Sequence, residues 1–407
     1  MGQINLCMLA PEFLPVWGGT GAYAVELIKF LPRNVDIHVV TLKRDIPGMS
    51  ENNFMNNNVN SIIERPIEVH YLSASRETFF YNLPFQIACL RHIPSLHKKH
   101  KFDIIHSHLT HMPDVFLQLL NKIRLPTVLT VHATIQLLRD YALKARSLFG
   151  DLELSESSVL WFYPIIKFLQ QNYVKHVHRF IAVSRTDKEL IMKDLNIEPR
   201  KISVVYNGVD VKLFCPPKES EAERRFLRPT VVFVGRMIAK KGVPVLIEAM
   251  PKVIQSSPET RFLFAGGGDI EAYRRIIGDM GIPRENFSFV GHVGYFERPE
   301  LLREATVFVN PSIFELCSIS ILEAMSCGTA VVASDVGGNR ELIKPGKNGL
   351  LVSSSDHKTL AESIVSLLED EGFNRKIGME ARRTVEESFS ARKCAEETYN
   401  IYRQMLE

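Results

Sequence analysis

The sequence predicts an α/β protein with two doubly wound parallel sheets, one in each half of the chain. Short runs rich in β-branched residues alternate with segments whose apolar residues recur at helical spacing. This alternation is typical of parallel sheets covered by helices on both faces. A chain of 407 residues exceeds what one hydrophobic core supports, so two domains are expected.

Thirteen segments have the composition of strands, and the segments between them have helical periodicity, as in Val25–Leu31 and Leu246–Ile254. The predicted strands of the first half are Ile4–Ala10, Ile37–Leu42, Ile67–Leu72, Ile104–His108, Thr127–His132, Phe180–Ser184 and Ile202–Tyr206. Those of the second half are Val231–Gly235, Arg261–Ala265, Phe287–Gly291, Val307–Asn310, Ala330–Ser334 and Gly349–Val352.

The segment Cys215–Pro229 has the composition of a linker, with three prolines, many charges and little apolar content. We therefore expect one domain over residues 1–210 and a second over residues 211–387. The remaining residues, 388–407, form a predicted helix with no strand after it.

Composition points to an ordinary globular protein, with 45% hydrophobic and 23% charged residues. The net charge of +3 does not suggest a nucleic-acid-binding protein. Lys and Arg are in slight excess in the first half, which also holds 11 of the 13 histidines. This excess mildly favours contact with anionic lipid or an anionic acceptor, although a solvated basic face is the simpler interpretation.

Six scattered cysteines without a CxxC pair suggest buried thiols in a reducing compartment. The N-terminus lacks the pattern of a signal peptide, and the most apolar stretch, Val159–Leu169, is too short to span a bilayer. We therefore expect a cytoplasmic protein.

The stretch GRMIAKKG, Gly235–Gly242, follows a predicted strand and precedes a predicted helix. Glycine allows close backbone approach, and a helix N-terminus favours an anion. The planar fork of Arg236 and the point charge of Lys241 suit a diphosphate. A helix start with solvated charges would show the same pattern, so the motif alone leaves both interpretations open.

Glu315 and Glu323 lie eight residues apart on a predicted loop and helix, in the segment Phe314–Gly338. Two such carboxylates can accept hydrogen bonds from the vicinal hydroxyls of a sugar or ribose. Alternatively, Ser320 and Glu323 have the spacing of a capping box, in which the carboxylate only closes a helix end.

A glycine-rich loop, Pro11–Tyr23, follows the first strand and is a weak signal for phosphate contact, because it lacks a full GxGxxG. His132 closes a predicted strand, where it either reaches a ligand or is simply hydrogen-bonded. The histidines of HSHLTH, residues 106–111, have no carboxylate or Cys nearby to complete a ligand set, so no metal site and no cofactor are expected.

Over nearly its whole length the chain resembles the retaining glycosyltransferases of family 4, whose GT-B fold has two Rossmann-like domains facing a central cleft. The glycine loop after the first strand and the GR…KG and Glu-x7-Glu patterns carry most of this resemblance. The other matching motifs are TVHAT, FIAVSRTDKELI, KISVVYNGVDVKLF, FAGGGD, FVGHV, VNPSIFE and AMSCGTAVVASDVGG.

The resemblance implies roles for residues of the second half. Arg236 and Lys241 match the pair that binds the donor diphosphate. Glu323 matches the carboxylate on the ribose hydroxyls, and Glu315 matches the one on the hydroxyls of the donor sugar. The backbone of His292 and Val293 matches a segment at the edge of the nucleobase.

In the first half, Gly19 matches the glycine whose amide approaches the donor phosphate or sugar, and His132 matches a histidine near that sugar. By the same resemblance, Arg236, Lys241, Glu315 and His132 are the expected catalytic residues. The family's last helix returns to the first domain, which would explain the strandless tail.

One position departs from the family pattern. Three residues after the first glutamate the family usually has glycine, whereas this chain has Ser318. Serine tolerates positive φ and close ligand approach poorly. The donor contacts implied for Leu316, Cys317, Ser318 and Ile319 therefore depend on how this loop is shaped.

The expected activity is transfer of a sugar from a UDP-, GDP- or ADP-sugar to a carbohydrate or lipid-linked acceptor, with retention and without a metal. A sugar-nucleotide epimerase and a non-catalytic nucleotide-sugar-binding subunit are the alternatives. The acceptor is expected mainly at the first domain, near Asn52–Asn60, Arg91–Lys101 and Arg139–Arg146. The two basic segments leave open a peripheral contact with a membrane on its cytoplasmic face.

Overall fold

The computed structural model describes residues 2–14, 18–44, 59, 63–75, 82–150, 154–218 and 224–407. The chain divides into two compact units. Unit 1 comprises Met1–Asp140, Ser155–Gly208 and Ala391–Glu407, and unit 2 comprises Tyr141–Leu154 and Val209–Ser390. The stretch 141–154 thus groups with unit 2, whereas the ranges expected from the sequence place it in the first domain. Apart from Val59, the segment Asn52–Asn60 lies outside the described residues, as do residues 219–223 of the expected linker.

Unit 1 contains a seven-stranded parallel sheet in the order β3-β2-β1-β4-β5-β6-β7. All seven strands predicted for the first half are present, with ends that differ by a few residues. They are β1 (Ile4–Leu9), β2 (Val35–Arg44), β3 (Glu68–Ser75), β4 (Ile104–His108), β5 (Thr127–Val131), β6 (Arg179–Ala182) and β7 (Ile202–Val204).

Helices follow most of these strands along the chain, as the period of their apolar residues predicts. The first six are α1 (Gly19–Phe30), α2 (Asn82–His100), α3 (Val115–Leu119), α4 (Ile135–Phe149), α5 (Leu154–Tyr173) and α6 (Arg185–Leu195). The C-terminal helix, α15 (Ala391–Leu406), belongs to unit 1, where Asn34 Nδ2 donates a hydrogen bond to Tyr399 Oη at 2.7 Å.

Unit 2 contains a six-stranded parallel sheet in the order β10-β9-β8-β11-β12-β13. The six strands predicted for the second half are all present. They are β8 (Thr230–Val234), β9 (Arg261–Ala265), β10 (Phe287–Gly291), β11 (Val307–Asn310), β12 (Ala330–Ser334) and β13 (Leu350–Val352).

The helices of unit 2 accompany this sheet. They are α7 (Arg224–Leu227), α8 (Val243–Ser256), α9 (Ile270–Asp279), α10 (Arg298–Glu304), α11 (Ile319–Ser326), α12 (Asn339–Leu342), α13 (His357–Glu369) and α14 (Glu371–Ser388). Its core packs the apolar face of α8, including Leu246, against Phe233 and Phe264 of the sheet. Central strands such as β12 are buried along their whole length, as expected for a parallel sheet covered on both faces.

Both sheets change winding direction at one place, and this place positions the candidate site. In unit 1 the change falls between β1 and β4, and in unit 2 it falls between β8 and β11. Loops that leave adjacent strands at such a switch point diverge and open a crevice beyond the carboxyl ends of the strands. We therefore expect ligand-binding residues directly after β1, β4, β8 and β11.

Among the helices of the described residues, none has both the length and the apolar character needed to cross a membrane. None of the six cysteines, all of which lie in the described residues, forms a disulfide, and five of them are buried.

Candidate functional site

The stretch that follows β8 forms a tight cationic loop at the switch point of unit 2. Gly235 and Arg236 leave the strand, a 3-10 turn spans Ala239–Lys241, and Gly242 precedes α8. The Arg236 side chain is exposed, and its guanidinium makes no ion pair or hydrogen bond within the described part of the chain. A cation held at a strand end without a protein partner remains available to an anionic ligand.

Gly242 holds this loop against the segment that follows β11. Its φ is +70°, in the left-handed region that favours glycine. A Cβ at this position would lie 1.9 Å from the Pro311 carbonyl oxygen, so no other residue fits without displacement. The Ile313 amide also donates to the Lys240 carbonyl at 3.0 Å. Close backbone packing thus brings the two predicted motifs together.

Lys241 and Glu315 meet at this junction. Lys241 Nζ donates to Glu315 Oε1 at 2.5 Å, and Ser312 Oγ donates to the same oxygen at 2.9 Å. The Lys241 side chain is 26% exposed and that of Glu315 is 12% exposed, so the pair is largely removed from solvent. Lys241 and Glu315, which belong to different predicted motifs, are therefore in direct contact.

Glu323 is fully buried in α11 and pairs with Arg298 at the start of α10. Arg298 Nη1 lies 2.8 Å from Glu323 Oε1 and donates to Oε2 at 2.9 Å. Burial raises the pKa of the Glu323 carboxyl, and the arginine opposes that rise. A single nitrogen of Arg298 thus contacts both carboxylate oxygens, and its contact with Oε1 is an ion pair without hydrogen-bond geometry.

The capping-box interpretation of Ser320 and Glu323 is wrong. The N-cap of α11 is Ser318, its side chain makes no capping hydrogen bond, and Glu323 lies too far into the helix to be the N3 residue of a capping box. The Glu323 carboxylate instead faces Arg298, which lies on a different helix.

Ser318 adopts ordinary backbone geometry, with φ −72° and ψ 112°. The family's glycine is therefore not required here for a positive φ. Ser318 Oγ accepts a hydrogen bond from Asn310 Nδ2 at 3.2 Å, which ties the loop to the end of β11. The residues Leu316–Ile319 are buried, and the amides of the first turn of α11 have no acceptor within the helix.

Gly338 shapes the same loop from the other side. A Cβ on Gly338 would lie 1.6 Å from the Leu316 carbonyl oxygen, and the Gly338 amide donates to the Glu315 carbonyl at 2.9 Å. The DVGG segment is thus a backbone brace for the loop that carries Glu315.

His292 and Val293 follow β10 and are half-buried. Burial lowers the pKa of His292, and the nearby charge of Arg298 lowers it further. The guanidinium of Arg298 also lies over the Tyr295 ring, 5.2 Å from its centroid. His292, Arg298 and Glu323 therefore form a second polar group in unit 2.

In unit 1, Gly19 is the first residue of α1, directly after its N-cap Gly18. Residues 15–17 of the same loop are outside the described residues. Gly19 therefore lies at the N-terminus of a 12-residue helix, where backbone amides favour an anion.

His132, one residue beyond β5, belongs to a network of stacked histidines. Its Nε2 lies 3.1 Å from His108 Nδ1, and the two rings stack with centroids 5.2 Å apart. His106 completes the stack, with Nδ1 2.5 Å from Tyr402 Oη and Nε2 2.7 Å from Thr130 Oγ1. Burial lowers the pKa of His106 and of His132 to about 3, so both imidazoles are neutral at physiological pH.

Sequence reasoning missed Arg298. It stands in the first turn of α10, within the sequence ERPELL, where a charged residue is common on any exposed helix start. Only its position after FVGHV could have drawn attention to it. Its contact with Glu323 depends on how α10 packs against α11, which the sequence pattern does not specify.

Comparison with known proteins agrees with this architecture. The family model described as Glycosyltransferase Family 4 matches residues 17–213, and the one described as Glycosyl transferases group 1 matches residues 228–370. Phosphatidyl-myo-inositol mannosyltransferase of Mycolicibacterium smegmatis is 30% identical over 70% of this chain and 69% of the relative. Alpha-maltose-1-phosphate synthase of the same organism is 28% identical over 99% of this chain and all of the relative.

Two solved structures show the same fold. Sucrose-phosphate synthase from Thermosynechococcus elongatus superposes with a TM-score of 0.77 at 20% identity, covering 99% of both chains. Anabaena HepE in complex with UDP-glucose has a TM-score of 0.75 at 18% identity, covering 99% of this chain and all of the other.

The two doubly wound parallel sheets and these structural neighbours define the GT-B class of fold, as the sequence predicts. Within that class, the chain belongs to glycosyltransferase family 4.

Proposed function

We propose that the protein transfers a sugar from a nucleoside diphosphate sugar to an acceptor hydroxyl, with retention of anomeric configuration and without a metal in the chemical step. The observation that carries this proposal is the junction at which Lys241 bonds Glu315 beside the unpaired Arg236. A relative that is an alpha-maltose-1-phosphate synthase and a structural neighbour bound to UDP-glucose support the substrate class.

Arg236 and Lys241 bind the donor diphosphate. When the bond to the anomeric carbon breaks, negative charge builds on the leaving phosphate, and the two cations stabilise it more in the transition state than in the ground state. The backbone amides at the N-terminus of α11 also stabilise negative charge on the leaving phosphate.

Glu323 accepts hydrogen bonds from the ribose hydroxyls of the donor. Its two buried oxygens share one nitrogen of Arg298, and a carboxylate with about four acceptor sites retains capacity for further donors. Burial raises the pKa of this carboxyl, and Arg298 opposes that rise and so favours the charged form. The backbone of His292 and Val293 borders the nucleobase.

Glu315 contacts the hydroxyls of the donor sugar, together with backbone amides of Leu316–Ile319. Gly19 and His132 contribute from unit 1, through an amide at the start of α1 and a neutral imidazole. A neutral imidazole can donate one hydrogen bond and accept another, as sugar hydroxyls require. The departing phosphate accepts the proton of the attacking acceptor hydroxyl, which therefore attacks the same face of the sugar that the phosphate leaves.

The test combines a donor panel with one substitution. Binding of UDP-, GDP- and ADP-sugars is measured by thermal shift, since a ligand of the folded state raises apparent stability. Transfer is then assayed with the donor that binds. Arg236→Ala is expected to lower kcat by roughly 10²–10³-fold, the usual effect of losing a charge-stabilising donor.

Arg383→Ala is the matched control, because Arg383 is an exposed arginine of unit 2 paired with Glu387 on α14. Near-normal transfer by the Arg236→Ala protein would refute the assignment. NMR of the product, with the donor anomer as reference, tests retention. Incubation with donor alone tests the epimerase, which would release free sugar and nucleotide. A binding subunit would bind the donor and transfer it to no acceptor.

We further propose a lipid-linked acceptor, reached by peripheral contact with the cytoplasmic face of a membrane. On α5, Trp161, Ile165 and Phe168 recur at helical spacing and are 64%, 62% and 67% exposed. Arg139 and Lys167 flank this apolar strip, and both lie over the Tyr163 ring. Aromatic side chains beside basic ones are typical of helices that lie in a membrane interface.

Sedimentation with vesicles tests this contact. The full-length protein is expected to bind vesicles with anionic lipid, and Trp161→Ala/Phe168→Ala is expected to abolish binding. Leu227→Ala, at an exposed leucine of unit 2, is the control and should bind as the unaltered protein does. Absence of binding, or binding that the double substitution leaves unchanged, would rule out this surface.

A further inference from the structure

Four metal-ligating side chains converge at one edge of the unit 1 sheet, away from the candidate site. They are His38 on β2, Glu68 and His70 on β3, and His100 at the end of α2. One ligand atom from each lies within 4.8 Å of the ligand atoms of the other three. None of these residues is among those proposed to bind the donor, although His100 lies within Arg91–Lys101, near which the acceptor is expected.

The fold itself assembles the cluster. His38 and Glu68 are register partners across the parallel pair of β2 and β3. Side chains alternate along a strand, so Glu68 and His70 lie on one face of β3. His100 joins them because it is the last residue of α2, which returns along that face to the start of β4.

The distances match a tetrahedral site. Zinc–nitrogen bonds of about 2.0–2.1 Å in a tetrahedron separate neighbouring ligand atoms by roughly 3.3 Å. His38 Nδ1 lies 3.1 Å from His70 Nε2 and 3.6 Å from Glu68 Oε2. The same oxygen lies 3.9 Å from His70 Nε2 and 3.8 Å from His100 Nδ1. Small side-chain adjustments would bring all four atoms to bonding distance of one ion.

The surroundings suit a cation held by neutral imidazoles. The side chain of His38 is buried and those of His70 and His100 are largely so, which removes the three imidazoles from most of the solvent. Asp36 Oδ2 lies 3.9 Å from the outer nitrogen of His38, the place of a second-shell carboxylate. Lys99 adds a smaller repulsion. Phe102 packs on His38 and His100 and closes one side.

We propose that His38, Glu68, His70 and His100 bind a divalent transition metal ion, with Zn²⁺ as the ion whose tetrahedral preference fits three imidazoles and one carboxylate. Glu68, whose side chain is 57% exposed, lies at the solvent entrance. Four protein ligands leave no open position, so the ion is structural. It joins the edge strand β3 to β2 and to the end of α2.

The site lies at the opposite end of the sheet from the chemistry. Glu68 and His70 are near the start of β3, and His38 is near the start of β2, whereas the candidate residues of unit 1 follow the carboxyl ends of β1 and β5. The expectation that the chain lacks a metal site rests on the histidines at 106–111 and on the lack of an Asp-x-Asp pair, whereas this cluster uses other residues. Its presence is independent of the proposed sugar transfer.

Calorimetric titration with ZnCl₂ tests the proposal on full-length, tag-free protein stripped with EDTA and dialysed. One equivalent is expected to bind and to raise the melting temperature. Co²⁺ in place of Zn²⁺ should give the intense visible bands of tetrahedral coordination. His70→Gln and His100→Gln are each expected to weaken zinc binding at least tenfold and to abolish the cobalt spectrum.

His92→Gln is the matched control, because His92 is an exposed histidine on the same helix as His100. It should bind zinc as the unaltered protein does. Glu68→Gln provides a further variant, since replacing an exposed carboxylate by its amide keeps the shape. Each variant is compared as the metal-free form by circular dichroism and melting temperature. The proposal is overturned if no stoichiometric zinc binds, or if folded Gln variants bind zinc as tightly as His92→Gln does.

Discussion

Buried titratable groups are the residues that distinguish this chain most from an inert α/β scaffold. Glu323 has no exposed side-chain surface, yet Arg298 gives its charge a partner. Removing one member of such a pair usually costs far more than the pair contributes, because it leaves an isolated buried charge. The stacked histidines of unit 1 avoid the cost of a buried charge because they remain neutral.

These neutral histidines make unit 1 sensitive to acid. The pKa of His106 and of His132 is about 3 in the folded protein and near the ordinary value of about 6.5 in the unfolded chain. Between these values the unfolded state binds more protons. We therefore expect the free energy of unfolding to fall as pH drops below about 6.5, by up to about 1.4 kcal/mol per pH unit for each histidine.

Hydrogen exchange measured at pH 7, 6 and 5, and corrected for intrinsic exchange rates, checks this expectation. Peptides from β4 and β5 should lose protection as the pH falls. Peptides from β12, in a unit with two histidines, serve as the internal reference. Equal protection of β4 and β5 at all three pH values would contradict the assignment of neutral buried imidazoles.

The loops at the strand ends owe their shape to glycines that admit a neighbouring backbone. Gly242 and Gly338 each lie where a Cβ would overlap a carbonyl oxygen, and the carbonyl belongs in each case to the segment Pro311–Ile319. The loop with Glu315 is therefore held from two sides. Such backbone contacts bring together the loops that carry Lys241 and Glu315, whose side chains then form the ion pair.

Gly242→Ala separates this packing from simple backbone strain. Gly281 has nearly the same φ, +72° against +70°, but has nothing within 4 Å of its missing Cβ. Gly281→Ala is expected to cost about 1–2 kcal/mol, the penalty of a left-handed conformation. Gly242→Ala should cost more in urea unfolding and should also weaken donor binding, because the Pro311 carbonyl must move. Equal losses in the two variants would show that the close approach is unimportant.

The two units repeat one topology with different contents. Both wind outward from a switch point, β1/β4 in unit 1 and β8/β11 in unit 2. Unit 2 carries exposed and paired cations at this point, and unit 1 carries neutral histidines and the start of α1. The two switch points therefore differ in charge, with the cations at the one in unit 2.

Much of this arrangement was predictable. All thirteen strands could be located from their runs of β-branched and aromatic residues, which are most continuous in the strands buried on both faces. Motifs placed directly after strands, such as Gly235–Gly242, necessarily lie at the carboxyl edge of a sheet. Arg236, Lys241, Glu315 and Glu323 could therefore be named in advance, while their roles in transfer await the experiments above.

The local pattern of apolar and turn residues thus specified the elements and their order, because hydrophobic period and strand–helix alternation are properties of adjacent residues. This local pattern did not predict the partner of Glu323 or the cluster around His38. Arg298 lies 25 positions from Glu323, and His38 lies 62 positions from His100. Such meetings follow from strand register and helix packing, which arise when distant segments bury their surfaces together.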